Sequence, residues 1–339
     1  MKPVEIIGAG LAGLALANAL QKAGISVTLF EAGTLPRHRV CGEFICGRGG
    51  SALEAMGLGD SLKGAAEHRS TVWSIRGKTV LEQTLPEPAY GLSRYLLDQR
   101  LAESFQSAGG RLELNTRRSI TDAIEGVVVC KGREASKSDW IGLKAHYEGI
   151  ETTADLELHL GSGGYVGLSA VEEGRVNVCA LFKKNPELRA KREDWLIHYL
   201  RDSALGSIAD RLASAKAIHE SHSGVAGVVF SKIPKGSNGG VQLGDAYSVI
   251  PPFTGNGMSI ALESAEIAFP FVESYAREDL SWAAASNQIR SALRRRLDGR
   301  LRAARYLHPW LHTPLGQGTL ATFARARLLP FKTLYSLTH

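Results

Sequence analysis

The chain has 339 residues, of which 44% are hydrophobic and 22% are charged, and its formal net charge is +6. This composition excludes a disordered or fibrous protein, and the length suits two domains of about 150 residues each. The positive charge is concentrated from Arg290 onward, where ten Lys or Arg residues accompany a single acid, and the slightly acidic remainder argues against a nucleic-acid partner.

The first thirty residues predict a βαβ unit. Residues 4–7 and 26–30 are rich in β-branched and apolar residues, and the helix-forming segment 11–23 lies between them. The apolar run in this region also imitates a secretory signal, but the second strand that follows it favours a fold element. Elsewhere no uninterrupted apolar run is long enough for a transmembrane helix.

The middle of the chain changes from alternating helices and strands to successive strands. Residues 34–50, rich in Gly, Arg and Cys, are predicted to form a loop that approaches a ligand. From Trp140 to Phe182 several segments alternate apolar and polar residues, which is typical of an antiparallel sheet. The predicted elements after the first unit are a helix at 51–57, a hairpin at 71–76 and 79–85, a helix at 93–107, strands at 111–115, 126–130, 141–147, 156–160, 164–169 and 176–182, a helical region at 193–213, a strand pair near 217–230, a buried strand at 240–244 and a helix at 257–276.

The segment Gly8-x-Gly10-x-x-Gly13, which follows the first strand, has the spacing of a dinucleotide-binding turn. Its glycines permit a tight turn, a close approach to a pyrophosphate and close packing of the helix on the sheet. The helix that begins near Leu11 directs unpaired N–H groups at such a phosphate. Glu31 ends the second strand, where a carboxylate can accept both hydroxyls of an adenosine ribose, and this acid favours FAD or NAD over NADP.

A second glycine-rich bend follows the buried strand at 240–244. Asp245 stands at the carboxyl end of that strand, where its carboxylate can accept a hydrogen bond from a polyol such as ribityl. Gly255 and Gly257 permit a close backbone approach, and the N–H groups of Gly257 and Met258 open a helix that can stabilise charge on a reduced flavin. The alternative is a capped loop before a core helix. Two helix N-termini that suit anions favour one extended cofactor, FAD, between them.

These motifs, over about residues 1 to 275, resemble the glutathione-reductase-type FAD superfamily, in its branch of p-hydroxybenzoate-hydroxylase-like monooxygenases and geranylgeranyl reductases. A third motif, Val40-Cys41-Gly42-Glu43, resembles the reductase segment that runs past the flavin ring, and Arg94 matches an Arg or Gln that contacts the cofactor. One departure is Lys131-Gly132-Arg133, which stands where these families carry an Asp-Gly pair used in pyridine-nucleotide and FAD contacts. The motifs and the resemblance together assign contacts with FAD to Gly8, Gly10, Leu11, Ala12, Gly13, Glu31, Ala32, Arg39, Cys41, Gly42, Arg94, Cys130, Asp245, Pro252, Gly255, Asn256, Gly257 and Met258.

Cys41 and Glu43 are the candidate catalytic residues. The resemblance implies a position beside the flavin ring, where either side chain can exchange a proton and Cys41 can act as a redox thiol. The alternatives are a small buried residue for Cys41 and, for Glu43, an ion pair with Arg37, Arg39 or Arg48. The histidines show no ligand spacing, so no metal site is predicted.

The basic C-terminal segment predicts an amphipathic helix. Leu293, Leu297, Leu301 and Ala304 share one face, and arginines that include Arg300 surround it. The favoured interpretation is a helix packed on its own domain with a solvated charged face, and the alternative is peripheral contact with an anionic membrane. The four cysteines lack CxxC spacing, which indicates a reducing compartment, and we predict a cytoplasmic location with membrane association as the alternative.

The resemblance implies an α/β fold in which a Rossmann-like FAD-binding domain with a parallel sheet is interleaved with an antiparallel-sheet substrate domain. We predict an FAD-binding domain of residues 1–69, 90–135 and 236–280, a substrate domain of residues 70–89 and 136–235, and a helical basic tail of residues 281–339.

The predicted function is that of an FAD-dependent oxidoreductase. Its substrate is a small apolar or aromatic molecule bound between the sheet and the flavin, where Tyr147, Tyr165 or Phe182 face it. Hydroxylation with oxygen, on FAD that NADH or NADPH reduces, is favoured by analogy with the wide use of this scaffold. The Cys-Gly-Glu segment favours instead a geranylgeranyl-reductase-like reduction of a carbon–carbon double bond, and a flavin-binding partner protein without turnover is the third hypothesis.

Overall fold

The computed structural model describes residues 1–119, 125–133, 137–230 and 240–339, apart from the side chain of Arg192. The α-helices are α1 (Leu11–Lys22), α2 (Gly49–Ala55), α3 (Arg94–Ser107), α4 (Trp195–Asp202), α5 (Gly206–Ala213), α6 (Gly257–Ala276), α7 (Trp282–His312), α8 (Pro314–Arg325) and α9 (Phe331–Thr338). The strands are β1 (Val4–Ile7), β2 (Val27–Phe30), β3 (Phe44–Ile45), β4 (Ala66–Ile75), β5 (Lys78–Gly91), β6 (Arg111–Glu113), β7 (Val127–Val129), β8 (Trp140–Glu148), β9 (Leu156–Gly161), β10 (Gly164–Ala170), β11 (Val176–Lys183), β12 (Lys216–Ala226) and β13 (Val241–Gln242).

The first sheet is parallel and has the order β13-β7-β1-β2-β6. Its central strand is buried, with Val4 and Ile6 fully inaccessible, as its run of apolar residues predicts. The chain passes from β1 to β2 on one side and returns to β7 on the other, so the strand order reverses at β1. Ligands of open α/β sheets bind outside the carboxyl ends of the strands at such a switch point, and the turn at Gly8 lies there.

The second sheet is mixed, with the order β12-β8-β11-β10-β9-β4-β5-β3. The predicted strands from β8 to β11 are confirmed as antiparallel neighbours, but β4 pairs with β9 in parallel, which the antiparallel interpretation did not include. The strand pair predicted near residues 217–230 is also wrong, because β12 is one strand with a bulge between Ile218 and Ser223. One face of this sheet packs against α4 and α5.

The short strand that precedes α2 belongs to the second sheet. Phe44 and Ile45 pair with Gly91 and Tyr90 of β5, so one end of the second sheet is formed by residues that the sequence assigned to the FAD-binding domain. The assigned segments 236–280 and 136–235 include residues 231–239, which lie outside the described residues. The division into domains therefore stays a prediction.

The C-terminal helices pack on the body of the protein, which was the favoured interpretation of this segment. Leu293, Leu297, Leu301 and Ala304 of α7 are buried in the main core, as predicted. Arg300, however, does not belong to the solvated face, because its guanidinium is buried against the carboxylate of Glu263 in α6, with Nη1–Oε distances of 2.9 and 2.8 Å. In the described ranges of the chain, no helix combines the length and the hydropathy needed to cross a membrane.

Candidate functional site

A large cleft of about 1080 Å³ opens between the carboxyl end of the parallel sheet and the second sheet. Both glycine-rich bends and the Cys41–Glu43 segment contribute to its walls. Residues far apart in sequence, at 8–12, 31–32, 39–42, 94, 130 and 245–258, therefore meet at one site. Of the residues predicted to contact a cofactor, those that line the cleft are Gly8, Gly10, Leu11, Ala12, Glu31, Ala32, Arg39, Cys41, Gly42, Arg94, Cys130, Asp245, Pro252, Gly255, Gly257 and Met258.

The two remaining residues of that prediction, Gly13 and Asn256, do not line the cleft. A Cβ on Gly13 would lie 2.0 Å from the carbonyl oxygen of Gly8, so this glycine lets α1 pack against the turn. Asn256 is fully buried, and its Nδ2 donates to the carbonyl oxygen of Thr338 in α9 at 2.5 Å. The Asn256 side chain thus holds the C-terminal helix rather than facing a ligand in the cleft.

The first glycine bend places two glycines in different roles. Gly8 has a φ of +104°, and a Cβ there would lie 2.4 Å from the carbonyl oxygen of Cys130, so no other residue fits. A Cβ on Gly10 would meet nothing within 4 Å, so this position is open toward the cleft. Gly10 also precedes α1, whose first N–H groups have no intrahelical partner. The bend therefore offers backbone donors and free space to an anion.

Glu31 fixes this bend from the end of β2. Its Oε2 accepts from the Ala9 N–H at 3.0 Å, and its Oε1 accepts from the Gly33 N–H at 3.1 Å and from Arg37 Nη2 at 3.0 Å. Glu31 is largely buried, and it also lines the cleft. A carboxylate has about four acceptor positions, two on each oxygen. Oε1 already accepts two hydrogen bonds, so Oε2 keeps one position for a ligand hydroxyl.

Arginines form a positive wall between the two bends. Arg94 makes a bidentate pair with the buried Asp98, with both N–O distances at 2.9 Å. Burial opposes the charge on Arg94, but Asp98 outweighs it and raises the pKa of the guanidinium above its ordinary value. Arg39 lies beside this pair, and its Nη2 is buried without a hydrogen-bond partner in the described part of the chain. An unsatisfied buried guanidinium nitrogen in a cleft fits an anionic ligand group.

The second bend closes the cleft from the opposite end. Residues Pro252–Thr254 form a 3-10 turn that ends at Gly255, whose φ is +67°. A Cβ on Gly255 would lie 2.8 Å from Cδ1 of Phe44, so the bend also needs glycine to pack on β3. Helix α6 begins two residues later, and Gly257 and Met258 at its start line the cleft. The partial positive charge of this helix end is therefore directed at the cleft.

The Cys41–Glu43 segment is held against the second sheet by two side chains. Asn177 Nδ2 donates to the carbonyl oxygen of Cys41 at 3.1 Å, and Ser169 Oγ donates to that of Gly42 at 3.2 Å. Burial raises the pKa of the Cys41 thiol above its ordinary value. At neutral pH the sulfur therefore keeps its proton, which argues against a thiolate nucleophile and permits a proton donor.

Glu43 pairs with none of Arg37, Arg39 and Arg48, which corrects the expectation from sequence. Its fully buried carboxylate lies 3.0 Å from Lys144 Nζ through Oε1 and 2.5 Å from His146 Nε2 through Oε2. The Arg94 N–H also donates to Oε1, at 3.0 Å. Burial alone would raise the pKa of Glu43, but the hydrogen bond from His146 and the charge of Lys144 outweigh it and lower the pKa. Glu43 is therefore ionised at neutral pH and holds no proton to donate.

Sequence reasoning missed Lys144 and His146 as partners of Glu43. Both lie on β8, in a strand that was predicted to alternate apolar and polar residues with one face toward solvent or ligand. The polar positions of that alternation turn out to be buried, with both side chains essentially inaccessible. A lysine and a histidine two positions apart in a strand lie on one face, which is the only signal that the sequence offers for this cluster.

A second, apolar pocket of about 120 Å³ adjoins the cleft. It lies between the second sheet, the second glycine bend and α9, and it shares with the cleft the residues Gly42, Phe44, Cys179, Leu181, Pro252 and Gly255. Tyr165, one of the three residues predicted to face the substrate, lines this pocket. Tyr147 and Phe182 do not, because they belong to the opposite sheet face and pack in the core against α4 and α5. Successive strand residues alternate between faces, and Leu181 occupies the pocket side.

No group of three or more His, Cys, Asp or Glu residues in the described ranges is placed to hold a metal ion. The paired His219 and His222 rings stack with centroids 5.7 Å apart. The two residues also contact each other through a hydrogen bond, since His222 Nδ1 lies 3.1 Å from the His219 carbonyl oxygen.

Comparison with known proteins identifies relatives that match most of this chain. The NAD(P)-binding Rossmann-like domain family matches residues 6–54. Menaquinone reductase of Mycobacterium tuberculosis is 26% identical over 320 residues, which cover 80% of this chain and 76% of that protein. Squalene monooxygenase of Mus musculus is 22% identical over 315 residues, which cover 78% of this chain and 53% of that protein.

A solved structure shares the fold of most of the chain. PqsL of Pseudomonas aeruginosa, described as a probable FAD-dependent monooxygenase, superposes with a TM-score of 0.75 and 15% identity, covering 94% of this chain and 98% of PqsL. The same protein has been solved in complex with 2-aminobenzoylacetate. The fold class predicted from the sequence is thereby confirmed.

Proposed function

We propose that the chain is an FAD-dependent oxidoreductase that monooxygenates a small apolar or aromatic molecule. The observation that carries the proposal is the apolar pocket that shares six lining residues with a cleft whose glycine bends suit a dinucleotide. A redox cofactor in the cleft and an apolar molecule in the pocket would share a boundary at Gly42, Cys179 and Pro252. The similarity to a monooxygenase of the same fold and to oxidoreductase sequences that match most of this chain supports the same class of enzyme.

The residues of the cleft fit FAD at both of its ends. Gly10 and the start of α1 would hold the pyrophosphate, Arg39 would supply its unpartnered Nη2 to a phosphate oxygen, and Glu31 would hold the ribose. Asp245 would accept from the ribityl chain. Bound FAD would supply the two-electron chemistry and the activation of oxygen.

The chain's own residues provide binding, orientation and exclusion of water. The start of α6 at Gly257 would direct its positive end at the flavin ring, where it would stabilise negative charge. The pocket walls at Leu158, Leu181 and Phe331 are apolar, and they exclude water from the boundary between pocket and cleft. NADH or NADPH would be the transient electron donor.

A reductase is the second candidate, and Cys41 favours it. Reduction of a carbon–carbon double bond needs a hydride and a proton, and Cys41 is a protonated thiol on the cleft wall. Menaquinone reductase is also among the sequence relatives that span most of the chain.

Product analysis under two atmospheres separates these reactions. The purified protein is loaded with FAD, supplied with NADH or NADPH, and given an isoprenoid quinone or an aromatic acid in air or without oxygen. Monooxygenation predicts a product that gains one oxygen atom, and this atom comes from O₂ when labelled O₂ is supplied. It predicts no product without oxygen. Anaerobic formation of a product that gains two hydrogens would replace this proposal by the reductase.

The C-terminal helices suit contact with an anionic membrane surface. Large apolar side chains are exposed along this segment, including Leu315 at 84% and Leu328 at 67%. Beyond Asp298 the sequence contains basic residues and no acid. Helix α9 lines the apolar pocket with Phe331 and Tyr335 on one side and exposes Leu337 on the other. A lipophilic substrate would therefore have a short path from a lipid surface to the pocket.

Vesicle binding tests this contact. Each basic residue near an anionic surface contributes about 1 kcal/mol, so Arg325→Gln with Arg327→Gln should weaken binding to phosphatidylglycerol vesicles by roughly tenfold or more. Leu315→Ser should weaken it further. The matched control, Arg201→Gln with Lys216→Gln, removes two exposed cations that lie outside the C-terminal helices, on α4 and β12. This control should leave vesicle binding unchanged. Equal loss in both double variants would refute a specific membrane surface.

A further inference from the structure

We propose that His38 donates a hydrogen bond from Nε2 to a carbonyl oxygen of the molecule bound in the cleft, and that the buried Lys144 fixes the tautomer that makes this possible. This inference rests on the proposed use of the cleft. It adds a contact residue and a positioning residue to the site.

The position of Lys144 determines the tautomer of His38. Lys144 is fully buried, and its Nζ lies 3.0 Å from Oε1 of Glu43 and 3.3 Å from Nδ1 of His38. An ammonium group has donors only, so the nitrogen that faces it must accept. His38 Nδ1 is therefore unprotonated, and in the neutral ring the proton resides on Nε2.

Lys144 itself is fixed by a buried network. Glu43 accepts from Lys144, from His146 and from the Arg94 N–H, so its carboxylate is immobile. On the sheet, Lys144 pairs with Cys179, and Cys179 lines both the cleft and the pocket. Residues directly opposite in neighbouring strands share a face, so the ammonium is placed on the cleft side of the sheet.

His38 lines the cleft and its ring is held in place. It stacks on Tyr95 with centroids 4.8 Å apart and meets His146 edge to face at 5.4 Å. In the described part of the chain, Nε2 has no hydrogen-bond partner, whereas Nδ1 is engaged by Lys144. The ring thus presents a single free donor.

The surroundings keep His38 neutral. Burial, then Lys144 and then His146 lower the pKa of His38 to about 4, while Glu43 and Glu172 act in the opposite direction. Tyr95 is the other titratable group against the ring. A neutral imidazole N–H is a suitable donor for a carbonyl oxygen, as in enzymes that polarise a carbonyl with a neutral histidine. The carbonyl has two sources, the ring of the flavin and a quinone or ketone substrate.

Nitrogen NMR of the histidine-labelled protein tests the tautomer without turnover. In the cofactor-free protein, His38 should show an unprotonated Nδ1 and should not titrate between pH 5.5 and 8, a range that lies above its pKa of about 4. In Lys144→Met, Nδ1 loses its donor, and the titration should move up toward the ordinary value near 6.5. Titration of wild-type His38 near 6.5, or a protonated Nδ1, would overturn the proposal.

Binding measurements identify the carbonyl. His38→Phe keeps a ring for stacking on Tyr95 and removes the N–H, and one lost hydrogen bond corresponds to a loss in affinity of about three- to tenfold. Weaker binding of FAD to the cofactor-free protein assigns the bond to the flavin. Weaker binding of naphthoquinone to the FAD-loaded protein assigns it to the substrate. The matched control is His198→Phe, at an exposed histidine on α4.

The outcomes separate this inference from the proposed function. If neither affinity falls in His38→Phe while both probes bind the wild type, the donor role is wrong and the oxidoreductase stands. If the wild type binds no FAD but the NMR pattern is as expected, the cofactor assignment fails and the substrate arm, repeated with naphthoquinone on the cofactor-free protein, decides the donor role.

Discussion

Removing the carboxylate charge of Glu43 should destabilise the protein strongly. Glu43→Gln keeps the shape of the side chain but leaves the fully buried ammonium of Lys144 without its counter-charge. Breaking a buried ion pair by changing one partner costs about 3–5 kcal/mol, a large part of a typical domain stability of about 5–15 kcal/mol. Lys144→Met should cost a similar amount, because it leaves Glu43 paired only with His146 and a backbone N–H.

The double variant distinguishes a buried pair from two independent contacts. Glu43→Gln with Lys144→Met leaves neither charge unpaired, so its loss of stability should be smaller than the sum of the single losses by about 1–3 kcal/mol. Urea unfolding followed by tryptophan fluorescence measures all three. Asp210→Asn, which breaks an exposed pair with Arg201, is the control and should cost less than about 0.5 kcal/mol.

The dependence on pH has a definite sign. The pKa of Glu43 is lowered in the folded protein, so its contribution to stability is present above the unfolded carboxyl pKa of about 4.3 and is lost as the pH falls through the folded value. The difference between wild type and Glu43→Gln should therefore shrink in acid. This reasoning is refuted if Glu43→Gln lowers the free energy of unfolding by less than about 1 kcal/mol at neutral pH. It is also refuted if the losses in Glu43→Gln and Lys144→Met add up in the double variant.

Three further predictions concern the cleft, the pocket and a second buried carboxylate. Gly10→Val should weaken FAD binding by about tenfold or more with little change in unfolding, because its side chain would meet only open cleft; unchanged affinity in a titration would contradict the placement of the cofactor. Gly167→Leu should lower substrate affinity without changing that for FAD, because Gly167 lines the pocket and a Cβ there has no neighbour closer than 3.8 Å; a parallel loss of both affinities would argue against a separate substrate pocket. Burial raises the pKa of Glu157, but hydrogen bonds from His159 and Arg211 outweigh it and lower the pKa, so Arg211→Met should cost about 1–3 kcal/mol at neutral pH and progressively less in acid. A pH-independent difference in unfolding would exclude that origin.

The glycine motifs could be predicted from the sequence because each glycine satisfies a local structural requirement. Gly8 must adopt a positive φ beside Cys130, and Gly13 must lack a side chain so that α1 can pack against the turn. The spacing of these glycines is therefore set by the geometry of the turn. The βαβ unit, the helix from Gly257 and the buried face of α7 followed from hydrophobic periodicity, which local sequence specifies directly.

The side-chain contacts between distant segments could not be predicted in the same way. The partners of Glu43 come from a strand about one hundred residues later, and no local pattern distinguishes Lys144 from the arginines nearer in sequence. The burial of Arg300 against Glu263 was missed for the same reason, since an arginine in an amphipathic helix is usually solvated. Tyr147 and Phe182 were assigned to the wrong sheet face because the sequence defines the alternation of faces but not which face meets the ligand.

The central claim is that the bends at Gly8–Gly13 and Gly255–Met258 hold opposite ends of one FAD. Titration of the purified, cofactor-free protein with FAD, followed by flavin fluorescence and by the rise in thermal stability, tests it directly. The account predicts saturable binding of one FAD per chain that is weakened in Gly10→Val. A folded wild-type protein that takes up no FAD at millimolar concentration would contradict it.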